Sequence, residues 1–226
     1  MATVIAVLNS KGGSGKSTVS TNLAGALQLD GHSVIIADSD PQGTARDWRR
    51  VQDDDSSLPG VVGIDRPTLE KDTREIAHAF DFIVIDGAAK LQDMIVSAIK
   101  AADVVLIPIQ PSAADIWAVS EMIEVIQTRQ QITDGRPKAC FVINRAIVGT
   151  NIASDVDDAL SAYATPVLSA RTHQRVAYTE ALAAGSTVVH ANQGSKAATE
   201  ITAIKNELLD FIYGHGKAQE STVERR

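Results

Sequence analysis

A glycine-rich segment with two lysines follows the first apolar run of the chain, and it reads Asn9-Ser10-Lys11-Gly12-Gly13-Ser14-Gly15-Lys16-Ser17-Thr18. A predicted strand precedes this segment and a predicted helix follows it. In that arrangement several backbone N–H groups and the positive end of the helix dipole point to one place, where a polyphosphate would bind. Lys16 would then reach the β- and γ-phosphates, and the Ser17 hydroxyl would bind Mg²⁺.

The same segment could be an ordinary glycine-rich turn between a strand and a helix. The strand, Lys16, Ser17 and the helix occur together, however, which favours the phosphate site. A dinucleotide-binding fold of the dehydrogenase type is disfavoured, because Thr18 stands where its pattern needs a third glycine. The usual phosphate-loop pattern has its first glycine five residues before Gly15. Ser10 occupies that position here, and a second lysine, Lys11, follows it.

Three aspartates follow two of the apolar runs. Asp86 comes directly after Phe82-Ile83-Val84-Ile85 and fits a carboxylate that holds Mg²⁺ through water, although such a residue can also be only a helix cap or turn former. Asp38 and Asp40 follow the preceding run and would flank the phosphate site. They could bind Mg²⁺ together, or Asp38 could support the metal shell or the phosphate loop.

Short runs rich in valine and isoleucine predict five strands, over residues 4–8, 34–37, 82–85, 104–109 and 141–143. Helical spacing predicts helices over residues 17–29, 44–51, 68–79, 91–101, 113–132, 151–163, 173–184 and 195–213. Nearly continuous apolar strands that alternate with helices indicate an α/β fold, with a mostly parallel twisted sheet and helices on both faces. Residues 1–213 are predicted to form one domain and residues 214–226 a disordered tail.

The composition restricts the class of protein. The 226 residues include 21 Lys and Arg against 28 Asp and Glu, so the net charge is −7. This acidity argues against binding nucleic acid or an anionic membrane through the whole surface. Cys140, the single cysteine, excludes a disulfide framework. Because the first apolar run is too short for a signal sequence and no run reaches the ~18 residues that span a bilayer, we expect a cytoplasmic protein.

The sequence resembles the ParA family of DNA-partition ATPases, in the short form without an N-terminal DNA-binding extension. This family belongs to the P-loop group with the deviant Walker A motif KGGxGK[ST], which residues 11–17 match. Roughly residues 1–213 follow the order of the family. The other matching segments are Asp38-Ser39-Asp40-Pro41-Gln42-Gly43, Phe82-Ile83-Val84-Ile85-Asp86-Gly87-Ala88-Ala89, Ile107-Pro108-Ile109-Gln110-Pro111-Ser112 and Val142-Ile143-Asn144-Arg145.

The resemblance implies ATP and Mg²⁺ as cofactors and a slow, partner-stimulated hydrolysis of ATP. Lys11 would cross a homodimer interface and touch the phosphates of ATP held by the other subunit, although it could also be a solvated lysine. Asp40 would position or activate the attacking water. The expected catalytic residues are Lys11, Lys16 and Asp40, the nucleotide-binding residues Lys11, Gly12, Gly13, Ser14, Gly15, Lys16, Ser17, Thr18 and Asn144, and the metal ligands Ser17, Asp38 and Asp86.

The segment that begins at Asn144 favours adenine over guanine as the base. A guanine-reading motif of the Asn-Lys-x-Asp type needs a carboxylate at the position of Ile147. Asn144 could still hydrogen-bond the edge of adenine, or it could only cap the end of a strand.

The excess of negative charge lies in the first 165 residues, since 7 basic and 6 acidic side chains follow Pro166. Arg175 lies in a segment that resembles the basic DNA contact of the family. Lys196 and Lys205 lie on the last predicted helix, whose apolar residues would face the core and leave the lysines exposed. Doubled by dimerisation, such a patch would bind DNA nonspecifically and in a salt-sensitive way, although these charges could also be scattered solubilising groups.

The resemblance therefore implies an ATPase that dimerises on ATP, associates with the nucleoid and segregates a plasmid or chromosome with a centromere-binding, ParB-like adaptor protein. Three alternatives stay open. A MinD-like membrane-cycling protein needs a C-terminal amphipathic helix, whereas residues 214–226 contain Val223 as their only large aliphatic side chain, so no membrane partner is expected. The others are an ATPase that positions a protein cargo and a metabolic ligase built on the same phosphate loop.

Overall fold

A computed structural model of the chain describes residues 1–89, 91–147, 156 and 159–214. Its sheet contains the strands β1 (Thr3–Val7), β2 (Val34–Asp38), β3 (Gly60–Gly63), β4 (Phe82–Asp86), β5 (Val104–Ile109) and β6 (Lys138–Ile143). These strands lie in the order β3-β2-β4-β1-β5-β6, and every neighbouring pair is parallel. The predicted α/β fold is confirmed, and all five predicted strands are present.

Strand β3 is the element that the sequence pattern missed. It has four residues, Gly60-Val61-Val62-Gly63, and it lies at one edge of the sheet beside β2. Glycine is unfavourable in strands, so a run that is half glycine carries little strand signal of its own. Pairing with β2, in which Ile36 lies opposite Val61, forms this strand.

The helices connect the strands and cover the sheet. Those that the structure describes from end to end are α1 (Lys16–Leu29), α2 (Thr44–Arg50), α3 (Leu69–Ile76), α4 (Gln92–Ala101), α5 (Ala113–Ala118), α6 (Ser120–Gln131), α7 (Val176–Ala183), α8 (Val188–Ala191) and α9 (Lys196–Tyr213). The single helix predicted over 113–132 is wrong in one respect, because the chain forms two helices that meet at Val119. There the Ser120 hydroxyl donates to the Trp117 carbonyl and competes with the helical pattern.

Two predicted segments fall wholly or largely outside the described residues. Most of the helix predicted over 151–163 lies there, although residues 159–161 are described and helical. The predicted tail lies there as well, apart from Gly214. Among the described residues, no helix combines the length and the apolar character that crossing a bilayer requires.

Each face of the sheet packs against its own helices, as strand β1 illustrates. Ile5 and Val7 join one core cluster with Leu23 and Leu27 of α1 and with residues of α2 and α9. Ala6 points the other way and joins a second cluster with residues of α3, α4 and α6. Because successive side chains of a strand alternate between faces, a strand covered on both sides must be apolar throughout. The continuous apolar runs in the sequence therefore have this physical cause.

The strand order brings Asp38, Asp86 and the glycine-rich segment together at the carboxyl ends of the central strands. Strand β4 lies between β2 and β1, although it follows both in the chain. Asp86 is consequently in register with Asp38 of β2 on one side and with Val7 of β1 on the other. The glycine-rich segment starts directly after β1, so it begins next to Asp86, and Asp38 lies one strand further along the sheet. Open parallel sheets bind ligands at such a point, outside the carboxyl ends of the strands.

Candidate functional site

The phosphate loop turns sharply into helix α1 at glycines with left-handed backbone. Gly13 has a φ of 77°, and Gly15 has a φ of 97° immediately before the first helical residue, Lys16. A Cβ atom at Gly15 would lie 2.0 Å from Nδ2 of Asn144. Glycine is therefore required at position 15 for its conformation and also for space.

Side chains from the ends of strands β1 and β5 fix this loop. The Asn9 amide donates to the Pro108 carbonyl (2.8 Å), and its Oδ1 accepts from the backbone N–H of Lys11 (2.8 Å). The Gln110 amide donates to the Gly13 carbonyl at 2.6 Å. These contacts tie the two ends of the loop to the ends of β1 and β5 and so fix its backbone before helix α1. Such preorganised N–H groups suit a phosphate.

Lys16 is buried at the start of α1 and points back into the loop. Its side chain is nearest to the Lys11 carbonyl, to which Nζ donates at 3.2 Å. Burial lowers the pKa of the Lys16 ammonium, and the nearby carboxylates of Asp86 and Asp40 partly offset that shift. A buried cation in need of negative charge is what a phosphate-binding lysine requires.

Asp86 lies fully buried behind Lys16. Its Oδ1 accepts from the Ser20 hydroxyl at 3.1 Å, whereas its Oδ2 has no hydrogen-bond partner among the described residues. The pKa of this carboxyl is raised to about 7, chiefly by burial and also by the charge of Asp38, while the hydroxyls of Ser17 and Ser20 and the charge of Lys16 oppose the rise. The buried hydroxyl of Ser14, in the loop itself, also has no partner in the described structure.

These orphaned groups fit a nucleotide with a divalent cation. A buried carboxylate with one oxygen that has no partner among the described residues, near the hydroxyls of Ser17 and Ser20, offers the hard oxygen ligands that Mg²⁺ prefers. Among the residues that the structure describes, no group of three or more His, Cys, Asp or Glu side chains comes together. Ser17 and Asp86 could therefore hold Mg²⁺ only with help from phosphate oxygens and water, which is how Mg²⁺ is usually bound.

Protein donors engage both carboxylate oxygens of Asp38, in contrast to Asp86. Its Oδ1 accepts from the backbone N–H of Asp40 (3.1 Å), and its Oδ2 accepts from the backbone N–H and the guanidinium of Arg46 (3.0 and 3.3 Å). Burial nevertheless raises the pKa of Asp38. Since protein donors engage both oxygens, the structure favours Asp38 as a support of the loop between β2 and α2 over Asp38 as a direct metal ligand.

Arg46 is a residue of this site that sequence reasoning missed. Its guanidinium contacts Asp38 and also donates to the Asp40 carbonyl at 2.7 Å. The loop that carries Asp40 is thus tied down from α2, and the Asp40 carboxylate itself accepts from the Gln42 N–H at 2.9 Å. An arginine on an amphipathic helix, eight residues after an aspartate, carries no signal that distinguishes it from a surface residue.

Lys11 forms an ion pair within its own subunit. Its Nζ lies 2.7 Å from Oδ2 of Asp115, on helix α5. The Lys11 side chain is 39% exposed, whereas the Asp115 side chain is only 3% exposed. Lys11 is therefore not simply solvated, and Asp115 is a second residue that the sequence analysis did not single out.

Asn144 lies beneath the phosphate loop. Its Nδ2 donates to the Ser14 carbonyl (2.7 Å), and its Oδ1 accepts from the Thr172 hydroxyl (2.5 Å). Asn144 is 3% exposed, so its amide faces the protein interior. The structure thus shows a residue that holds the loop, while the contact with adenine stays a prediction.

Replacing Asn144 with alanine should weaken the binding of ATP about tenfold, because the Ser14 carbonyl loses its donor and the loop loses its support. Titration calorimetry with Mg-ATP and Mg-GTP tests this. If Asn144 acts by holding the loop, both nucleotides weaken by the same factor, and Thr172→Val gives a smaller loss of the same kind. Unchanged affinity contradicts the role, and a loss confined to ATP would instead establish a contact with adenine.

The three predicted DNA contacts do not form a free basic patch. Lys205 is 4% exposed and forms an ion pair with Asp30, so the expectation that it is exposed is wrong. On helix α9, Lys205 is four residues from both Ile201 and Leu209 and therefore shares their buried face. Arg175 is paired with Glu200 (2.5 Å), whose carboxylate His173 and Tyr178 also contact. Lys196, at the start of α9, is exposed.

The fold and the site together define a P-loop nucleotide-binding protein. A parallel sheet sends its first strand through a glycine-rich loop, ending in Gly-Lys-Ser, into a helix, and a neighbouring strand supplies a buried carboxylate. The model of the CobQ/CobB/MinD/ParA nucleotide binding domain matches residues 5–188. The chain belongs to this family, as the resemblance to ParA predicted.

One relative matches nearly the whole chain. It is the maintenance of carboxysome distribution protein A of Halothiobacillus neapolitanus, which is 31% identical over 212 residues, 92% of this chain and 97% of the relative. Among solved structures, a complex of the Cyanothece McdA with ATP has a TM-score of 0.72 at 16% identity, covering 94% of this chain and 96% of that one.

A second solved structure is the septum site-determining protein MinD of Pyrococcus horikoshii with Mg-ADP. It has a TM-score of 0.73 at 20% identity and covers 92% of this chain and 96% of that one. At these identities the structural likeness shows the fold. The groups bound in the two neighbours agree with the prediction of ATP and Mg²⁺ for this chain.

Proposed function

We propose that this chain is an ATP-hydrolysing positioning protein that dimerises around ATP and moves a cargo with a partner protein. The observation that carries the proposal is the second lysine beside the phosphate loop. Lys16 already supplies the cation that a phosphate loop needs, yet Lys11 stands five residues before it with a side chain 39% exposed. A second, partly exposed cation beside the site is suited to contact the phosphates of ATP bound in another subunit.

Within one subunit, different residues bind the phosphates, hold the metal ion and position the attacking water. The backbone N–H groups of residues 12–17 and the ammonium of Lys16 would bind the phosphates, while Ser17 and Asp86 would hold Mg²⁺, which would supply positive charge beside the phosphates. Asp40 orients a water molecule for attack on the γ-phosphate, and Arg46 and Asp38 keep its loop in place. Phosphoryl transfer needs chiefly such positioning and electrostatic stabilisation, so these side chains suffice for slow hydrolysis.

Lys11 couples the binding of ATP to dimerisation. In the dimer its ammonium contacts the phosphates of ATP in the partner subunit and stabilises the negative charge that develops there. ATP then favours the dimer over the monomer through a contact that only the dimer makes, as any ligand-driven switch requires.

The cargo is proposed from the relatives. The relative that matches 92% of this chain is named for carboxysome distribution, which favours a protein assembly as the cargo. The family description and a relative named chromosome partitioning protein ParA favour the second candidate, a plasmid or chromosome held by a ParB-like adaptor. In both cases nonspecific DNA is the proposed surface for movement. Lys196 is its exposed candidate contact, since Glu200 engages Arg175.

Analytical ultracentrifugation and DNA binding with ATP, ADP and no nucleotide test the proposal. The parent protein should become a dimer and retain nonspecific DNA only with ATP, and retention should fall steeply with salt. Lys11→Ala should remain monomeric under all three conditions. Equal dimerisation with ATP, with ADP and without nucleotide would contradict the proposal. Retention on anionic vesicles in place of DNA would shift the function to membrane cycling.

The two cargoes are separated in the native host. If a protein assembly is the cargo, deletion of the gene clusters that assembly and leaves plasmid inheritance intact. Plasmid loss with unchanged protein assemblies would support partition instead.

A further inference from the structure

The ion pair between Lys11 and Asp115 connects the phosphate loop to helix α5. Asp115 is 2% exposed, so its carboxylate is buried beside a lysine that reaches the surface. The same oxygen, Oδ2, also accepts from the Ser112 hydroxyl, while Oδ1 has no hydrogen-bond partner among the described residues. Lys11 is therefore the cation that compensates this buried carboxylate within the described structure.

The position of α5 relative to the loop is fixed independently of this pair. The Ser10 hydroxyl donates to the Ala118 carbonyl, at the end of α5, at 2.7 Å. At the start of α5, the Ser112 side chain accepts from the backbone N–H of Asp115. Neither contact involves a charge that could engage a phosphate. These two contacts position α5 without the ion pair. The role of the ion pair therefore lies in its effect on Lys11.

We propose that Asp115 is a positioning residue that holds Lys11 within its own subunit until ATP in a second copy of the chain draws it away. This inference rests on the proposed function, because Lys11 must serve a partner subunit. The Lys11 Nζ lies 2.7 Å from a carboxylate that is only 3% exposed, so the ammonium must turn outward, away from Asp115, to reach phosphates across an interface. Releasing it leaves the Asp115 carboxylate buried without its counter-ion, which is strongly unfavourable. The phosphates of the partner subunit's ATP must offset that cost.

Asp115→Asn tests the proposal, because asparagine has the same shape, can still accept from Ser112 and carries no charge. We expect this variant to dimerise with Mg-ATP at a protein concentration about tenfold lower than the parent, since each subunit no longer loses an ion pair. Analytical ultracentrifugation over a concentration series measures the midpoint. A residue that only supported the structure would shift the midpoint upward, because damage to the fold weakens a dimer.

Two further variants complete the experiment. Asp30→Asn removes the acidic partner of Lys205, a lysine–aspartate pair between α9 and the end of α1, and should leave the dimerisation midpoint unchanged. Asp115→Ala removes the same carboxylate with a side chain that favours a helix and should also lower the midpoint, which covers the case in which Asp115→Asn does not fold. An equal or higher midpoint in both Asp115 variants would overturn the proposal.

The outcomes also separate this inference from the proposed function. If the parent stays monomeric with ATP, the proposed function fails. In that event, dimer formation by Asp115→Asn alone would still identify the ion pair as the barrier, and its absence would overturn the inference as well. If the parent dimerises and the variant does so no more readily, only the inference fails.

Discussion

Replacing Asp86 with asparagine is expected to stabilise the nucleotide-free protein and to abolish its Mg²⁺-dependent hydrolysis of ATP. Burial raises the pKa of this carboxyl to about 7, from an ordinary value of 3.8. The protonated form is therefore favoured in the folded state, and that contribution to stability is lost as the pH rises from about 4 to 7. At pH 8 the ionised carboxylate destabilises the fold, and asparagine removes the charge.

We expect a gain of about 2 kcal/mol at pH 8 and a much smaller gain at pH 5. The gain is less than the full pKa shift implies, because Lys16 loses a neighbouring negative charge. Thermal unfolding of the nucleotide-free protein at the two pH values measures it. Hydrolysis should fall by at least about a hundredfold, since Mg²⁺ loses its carboxylate.

Asp38→Asn is the matched control, because Asp38 is also buried and lies in register with Asp86 on the adjacent strand. Backbone N–H groups of Asp40 and Arg46 donate to its two oxygens, so an amide nitrogen would face one of these donors. This variant should therefore lose stability. If Asp86→Asn also lost stability at pH 8, or kept its Mg²⁺-dependent activity, the role given to Asp86 would be wrong.

Asp40→Asn is expected to reduce ATP hydrolysis by about a hundredfold or more while the ATP-bound dimer still forms. The variant keeps an oxygen that can accept from the Gln42 N–H, so the loop retains its structure. It loses the negative charge that orients the attacking water. Because binding of ATP and contact by Lys11 do not need Asp40, the dimer should persist longer than that of the parent.

Single-turnover hydrolysis and the lifetime of the dimer after dilution measure the two effects. Asp47→Asn serves as the control, because Asp47 lies on the same helix as Arg46 with a side chain that is 64% exposed and paired with Arg50 at the surface. Its hydrolysis rate should equal that of the parent. Parental hydrolysis in Asp40→Asn would remove its catalytic role, and loss of the dimer would assign it to nucleotide binding.

Local chemistry explains which elements were predictable. A strand covered on both faces must be apolar throughout, so five runs of valine and isoleucine were sufficient to identify five strands. The phosphate loop is similarly local, because Gly15 and Lys16 act through backbone conformation and helix geometry within a few residues. Strand β3 was not predictable in this way, since half of it is glycine and its pairing with β2 forms it.

Long-range contacts explain which site residues were missed or misplaced. Asp115 lies 104 residues from Lys11 in the chain, and Thr172 lies 28 residues from Asn144. Lys205 was expected at the surface because the apolar residues of the last helix were expected to face the core and leave it free, yet the packing of α9 buries it against Asp30, 175 residues away. Sequence spacing reports neighbours within a helix or strand. It contains no information about which distant carboxylate will neutralise a given lysine.

The sequence by itself determined the α/β fold, the phosphate loop with its two lysines and the carboxylates that end β2 and β4, because each of these depends on local backbone preferences or on burial of a whole strand. Only the tertiary structure decided the partners of the charged groups. It paired Lys11 with Asp115, engaged both oxygens of Asp38, left one oxygen of Asp86 without a partner among the described residues and took Lys205 and Arg175 out of a basic patch. The physical reason is that the cost of burying a charge depends on what the fold brings next to it.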